Sequence, residues 1–289
     1  MLSAKRGHDM RFFAWVKKDI PFIVGIPAFV WQVLFLVFPL ISIIGLAFKG
    51  EPGETFAYFL PFFDPLFGAV IMRSLIMALT NGILCLLIAY PLTYFLAFKA
   101  GRWRIPGLFL LIVPFWTNFL LHIYAWFFVL EQNGFLNNLL FSWGIINHPL
   151  SLLNSWGAVM LMMVYYYMPF MVLPLYTQFE KFDKRFFEAS LDLGASWVQT
   201  VRHVLIPATA PGIISGFFLV FVPSFGEFAI PELMGGDKFL CVGSLISYGV
   251  LGAETASYGA AFTLISSAAL VLASLSIYLL MSYLMRARA

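Results

Sequence analysis

Six stretches of this chain are long and apolar enough to cross a lipid bilayer, at residues 20–48, 67–98, 105–130, 155–178, 207–230 and 257–285. A spanning helix takes about 20 mostly apolar residues. Membrane strands are excluded, because they are about half that length and alternate apolar with polar positions. A soluble globule is excluded by arithmetic. Hydrophobic types make up 62% of the 289 residues and charged types 11%, against about 45–50% and about 25% in an average soluble domain. A sphere of this size must still cover itself with polar groups. Disorder is excluded by the 33 phenylalanines, since disordered chains are poor in aromatic residues. The expectation is an all-α integral membrane protein of six transmembrane helices.

The basic residues orient the bundle. Fourteen of the 17 Lys and Arg fall in one set of alternate connections. They are Lys5, Arg6, Arg11, Lys17 and Lys18, then Lys99, Arg102 and Arg104, then Lys181, Lys184, Arg185 and Arg202, then Arg286 and Arg288. Lys49, Arg73 and Lys238 lie on or near the other side. Cytoplasmic loops carry the basic excess, so both termini are expected in the cytoplasm. The first run follows a basic start but is too long for the apolar core of a signal peptide and has no small-residue cleavage site after it, so it reads as an uncleaved first span. The scattered basic residues form no nucleic-acid surface. Cys85 falls in an apolar run and Cys241 in a loop, which implies neither a disulfide framework nor a zinc site; they read as a buried small hydrophobe and an incidental thiol.

The longest inner connection reads EKFDKRFFEASLDLGASWVQTVRHVLIPATAPG. Asp183 is placed to cap a helix carrying Phe186, Phe187, Ala189 and Leu191, and Gly194 to end it in a left-handed turn. Ser196 with Gln199 three residues on has the spacing of a capping box. Pro207 and Pro211 mark the start of span five. Two short helices at an angle follow, which could rest on lipid headgroups or dock a partner. Glu188-Ala189-Ser190, Gly194 six residues after Glu188, and Val204-Leu205-Ile206-Pro207 resemble the EAA loop of ABC importer permeases. Ser190 stands where that family favours Ala, and Val204 and Ile206 where it favours Ile and Leu.

The resemblance extends along most of the chain and is similar in particular to permeases of spermidine/putrescine importers. It is carried by Arg73-Ser74-Leu75, Tyr90-Pro91, Tyr94-Phe95-Leu96-Ala97, Leu111-Ile112-Val113-Pro114-Phe115-Trp116-Thr117-Asn118, the run from Met168 to Tyr176, and the segments from Pro223 to Phe228 and from Pro231 to Gly236. It implies the type I ABC-importer (MetI-like) permease fold in the bacterial inner membrane. Its parts would be a tail, first helix and outer loop over residues 1–66, a five-helix core over 67–285 with the coupling loop at 179–207, and a short tail at 286–289. It further implies two ATPase subunits, a second permease and a periplasmic or extracellular substrate-binding protein. The coupling residues carried over are Glu188, Ala189, Ser190, Gly194 and Pro207. Relatives for Fe(III), sulfate or molybdate share the architecture, and a gradient-driven carrier or a scaffold subunit are the competing classes. The chain has no G-x-x-x-x-G-K-[ST] of its own; Gly235-Gly236-Asp237-Lys238 is followed by Phe239 and has the wrong spacing. No cofactor is expected on this chain, ATP and Mg belonging to the partner ATPase. No metal cluster or covalent catalytic constellation is read, so it is not expected to be an enzyme.

A polycation path needs carboxylates and aromatic faces. Glu227, between Pro223 and Pro231, is the leading acid, since charges in spans face cavities or partners; its bland alternative is an interfacial carboxylate in outer water or paired with Arg73. Trp116, Tyr165 and Tyr166 are the aromatic candidates and Asn118 the polar one. Tyr167 shares the run, but three consecutive residues point in three directions on a helix. His122 reads as a packing residue. Gly259, Thr263 and Ser267 form a small-residue stripe suited to close helix approach. Pro39, Pro91, Pro114, Pro169 and Pro174 are expected to bend their helices.

Overall fold

The computed structural model describes residues 25–49, 56–236, 239–252 and 255–286; the basic N-terminal residues, Asp237, Lys238 and Arg288 lie outside them. The regular elements are helices, in chain order α1 (Gly25–Ala47), α2 (Pro65–Phe98), α3 (Arg104–Ile112), α4 (Phe119–Leu130), α5 (Phe135–Ser142), α6 (Trp156–Lys181), α7 (Lys184–Asp192), α8 (Trp197–Ala208), α9 (Ala210–Phe225), α10 (Val242–Leu251) and α11 (Ala256–Arg286). Among these, α1, α2, α6 and α11 are each long and apolar enough to cross a membrane. Two further spans are broken, one by 98° before Phe119 and one by 70° before Ala210. Counting each broken pair once gives six.

Local chemistry explains most of the boundaries. Asp64 caps α2 by accepting from the Leu66 amide, and Ser155 caps α6 by accepting from the Ala158 amide. Pro91, Pro169 and Pro174 sit inside α2 and α6 and interrupt neither. Pro114 behaves differently and corrects the expectation of a single helix over 105–130. It lies in a 3-10 turn, Val113–Trp116. Thr117 and Asn118 are then extended, and Asn118 restarts the chain as the cap of α4. Span five is corrected too, since α9 ends at Phe225 rather than Ile230. The connections at 131–155 and 226–255 carry helices of their own. Buried Asn137 ties α5 across its loop, donating to the Glu131 and Leu150 carbonyls and accepting from the Leu150 amide. α10 is pinned to α2 where the Ser74 hydroxyl accepts from the Val242 amide at 2.9 Å. Cys241, at the head of α10, is fully buried against Met77 and is not an incidental exposed thiol.

The core is the mutual packing of α2, α6 and α9. Small residues allow it. A Cβ on Gly216 would stand 2.9 Å from Met171 Sδ and 3.1 Å from the Met171 carbonyl, and one on Gly212 would stand 3.0 Å from the Pro174 carbonyl. Gly82 receives the Phe217 ring in the same way. One polar node crosses this core, Asn81 of α2 donating to Ser224 of α9 at 2.8 Å. Buried polar groups need such partners. α11 packs on α10 through Gly259 against Gly249, and on α1 through Ala260 and Ala261 against Ala47. The predicted stripe is therefore used at Gly259, whereas Thr263 bonds within its own helix and Ser267 is exposed. Phe29, Trp31, Phe35, Leu272, Leu279 and Tyr283 point outward, an apolar perimeter that lipid solvates.

Gly216→Val places a side chain against backbone and is expected to destabilise by about 1–3 kcal/mol, the usual effect of overpacking. Gly45→Ala, where a Cβ meets nothing within 4 Å, should be neutral. The midpoint of thermal aggregation of the detergent-solubilised protein checks both.

Candidate functional site

Two groups of residues at opposite ends of the α6–α9 core carry chemistry. The first is the elbow made by α7 and α8. Asp183 accepts from the Arg185 amide at 3.0 Å and starts α7. Gly194 ends it at φ +89°. The Gly194 amide donates to the Leu191 carbonyl (2.9 Å) and the Ala195 amide to the Ser190 carbonyl (3.1 Å), the two bonds of a Schellman stop. A Cβ on Gly194 would meet nothing within 4 Å, so glycine is required there by the backbone and not by space. Ser196 and Gln199 form the reciprocal capping box that opens α8. Ser190 and buried Thr200 share a hydrogen bond of 3.0 Å across the bend. The serine that departs from the EAA pattern thus fixes the angle between the two helices.

The elbow is held to the core by a knot of rings. Tyr90, Tyr94 and Phe98 recur at four-residue spacing and share one face of α2. Phe179 of α6, fully buried, lies 5.2 Å from the Tyr90 ring, 6.4 Å from Tyr94 and 5.6 Å from Phe98. From the elbow, Phe187 and Trp197 meet Tyr94 at 6.4 and 6.3 Å. Lys184 Nζ lies 5.0 Å over the Phe98 ring. Such contacts contribute roughly 0.5–1.5 kcal/mol each beyond the area they bury. Below the knot is the 70° bend at Thr209. Its Oγ1 donates to the Leu205 carbonyl at 2.8 Å, which leaves the Tyr90 hydroxyl, 3.2 Å away, to donate to it. The outer surface of the elbow is open. Glu188 and Ala189 are exposed, as are Phe186, Leu193 and Trp197. A groove of about 680 Å3 runs between the helices, walled by Phe186, Ala189, Leu193, Val204 and Ala208. Pro207 lies in the last turn of α8, just before the bend.

The second group lies at the far end. Glu227 follows the last turn of α9, half-buried. Tyr167 of α6, itself buried, donates to Glu227 Oε2 at 2.9 Å, and the Ala229 amide donates to Oε1 at 3.1 Å. The carboxylate is therefore held by a phenol and a backbone N–H. Arg73, the partner considered from the sequence, reaches the Leu240 carbonyl instead. The three tyrosines do diverge. Tyr165 edges His122 and Trp126, Tyr166 stacks on Phe115, and Tyr167 holds Glu227. Tyr165, Tyr166, Phe115, Pro114 and His122 wall a cavity of about 230 Å3 in the crook of the broken third span. Trp116 is 74% exposed against Phe109, and Asn118 serves as a helix cap. Neither is brought to Glu227. The pairing that sequence reasoning missed is Tyr167 with Glu227; the only signal for it was a shared run of aromatics.

Residues 20–288 match the family described as "Binding-protein-dependent transport system inner membrane component". The spermidine/putrescine transport system permease protein PotB of Escherichia coli is 41% identical over 238 residues, 80% of this chain and 86% of that protein. PotB of Haemophilus influenzae is 37% identical over 244 residues, 82% of this chain and 85% of its own. Among solved structures, a bacterial ABC transporter that imports the acidic polysaccharide alginate superposes with a TM-score of 0.62 at 18% identity, covering 96% of this chain and 98% of that one. A bacterial alginate ABC transporter in complex with an alginate pentasaccharide-bound periplasmic protein gives 0.66 at 17% identity, covering 92% of this chain and 95% of that one. The fold is thus that of a type I ABC-importer permease. The chain belongs to the binding-protein-dependent inner membrane transport family; it is a membrane permease component and not an enzyme.

Gly194→Ala is expected to cost about 1–2 kcal/mol at the elbow, the penalty of a left-handed residue with a Cβ, with Gly194→Asn recovering part of it. Tryptic cleavage at Arg185 and Arg202 should quicken in the alanine variant while the thermal midpoint of the core holds.

Proposed function

We propose that this chain is one permease subunit of an ATP-driven importer that carries spermidine or putrescine across the bacterial inner membrane, with the elbow and both termini on the cytoplasmic side. The observation that carries the reading is the pairing of an exposed, rigidly capped elbow at one end of the α2–α6–α9 core with a phenol-held carboxylate at the other. The likeness to PotB over four-fifths of the chain supports the substrate class. The elbow offers an ATPase subunit an apolar groove, the small Ala189 for close approach and the Glu188 carboxylate for a charge-assisted contact. A push on it reaches the core through the ring knot and the Tyr90–Thr209 bond. At the far end, Glu227 supplies the negative charge that a flexible polycation needs once it leaves water. Tyr167 fixes the orientation of that carboxylate, and the neighbouring rings of Tyr166 and Phe115 offer π-faces to ammonium groups. Two ATPases, a second permease and an external binding protein complete the working assembly.

Reconstitution of that assembly in proteoliposomes tests the reading. Labelled spermidine or putrescine should be taken up with ATP inside, and Fe(III) or sulfate should not. Glu188→Arg combined with Gly194→Val should abolish uptake while the binding protein still captures substrate; normal uptake would remove the elbow from the coupling path. Glu227→Gln should lower uptake roughly 10- to 100-fold, as loss of one charge-assisted contact of about 1.5–3 kcal/mol implies. Uptake driven by an ion gradient without ATP would place the chain among secondary carriers.

A further inference from the structure

The strap between α9 and α11 carries a second carboxylate built like the first. Glu232 sits in the π turn Pro231–Gly235, five residues after Glu227. Its Oε1 accepts from the Tyr248 hydroxyl of α10 at 2.9 Å. The pair stands at a cavity of about 310 Å3 whose wall also includes Phe239, Leu240 and Ser244. Phe239 is held in place by stacking on Trp156, 5.9 Å away with a 30° interplanar angle. Arg73 reaches the Leu240 carbonyl from α2 but does not line the cavity.

Both side chains are exposed, Tyr248 by 60%, and a bond open to water contributes little to stability. Glu232 Oε2 has no protein partner among the described residues. A carboxylate with one oxygen fixed by a phenol, the other without a partner among the described residues, and an immobilised aromatic wall beside it is a receptor for an alkylammonium group. The charge takes the free oxygen and the methylenes lie on the ring. Glu227 and Glu232 are five residues apart on a mostly helical strap, about 8 Å along the backbone. Linear polyamines carry ammonium groups several methylenes apart, so one carboxylate cannot serve two of them.

We propose that Glu232 and Tyr248 form a second ammonium station, outward of Tyr167 and Glu227, that engages one ammonium of a polyamine while another is at Glu227. This rests on the polyamine reading above. The test uses the full reconstituted importer with spermidine-loaded binding protein, and reads uptake and ATP hydrolysis together. Glu232→Gln should lower initial spermidine uptake about tenfold, the loss of one charge-assisted contact, while stimulation of ATP hydrolysis by the binding protein is kept. The ATP hydrolysed per spermidine moved should rise accordingly. Glu232→Asp should restore most of the uptake, and Tyr248→Phe should lower it less than Glu232→Gln does. Unchanged uptake in Glu232→Gln overturns the proposal. A parallel fall of uptake and ATPase stimulation overturns it as well, because Glu232 would then be a docking contact for the binding protein. An unsubstituted importer that moves no polyamine removes the reading beneath it, and the station with it.

Discussion

The aromatic knot of Tyr90, Tyr94, Phe98, Phe179, Phe187 and Trp197 is the contact on which the rest of the structure depends. An elbow of two short helices cannot transmit force unless it is rigid and rigidly attached. The caps and the Ser190–Thr200 bond make it rigid. The rings attach it to α2 and α6, and Tyr90 bonds to Thr209 at the bend where the elbow becomes span five. Without the knot, α7 and α8 would be an amphipathic pair resting on headgroups, the bland alternative that its residue pattern alone leaves open.

Close packing carries that attachment through the membrane. Glycines at 82, 212 and 216 let α2, α6 and α9 approach until backbone meets side chain. Without a hydrophobic drive between helices in lipid, such fit is what holds a bundle together. A tightly fitted core moves as a body more readily than it deforms. The far end of that body carries Tyr167 and Glu227, so on the function proposed above a displacement at the elbow is carried to that carboxylate. α1 and α11 stand outside it, mostly on lipid.

What could be read from the chain follows the range of the interactions. The caps at Asp183, Gly194 and Ser196–Gln199 were legible because each is completed within five residues of chain. The span count was legible because apolar length is a property of one segment. The break at Thr117 and Asn118 was not, since apolar composition does not distinguish one helix from two, and it makes Asn118 the cap of α4. Tyr167 and Glu227 are sixty residues apart, and the knot joins four elements, α2, α6, α7 and α8. Neither leaves a local signature beyond the ring spacing on α2. Ser190 reads in the sequence as a conservative departure from Ala, and its role lies in Thr200, ten residues on and across the bend.

The central claim is that the elbow and the three-helix core move as one. Spin labels at Leu193 on the elbow and Phe228 at the far end, both exposed, measure it directly in the assembled importer by electron–electron distance spectroscopy. Between the nucleotide-free and ATP-bound states the Leu193–Phe228 distance should stay constant, while the distance from Leu193 to a label on the partner permease changes. A Leu193–Phe228 distance that changes as much as the distance between subunits would contradict the account, because the elbow would then swing on its own and the knot would transmit nothing.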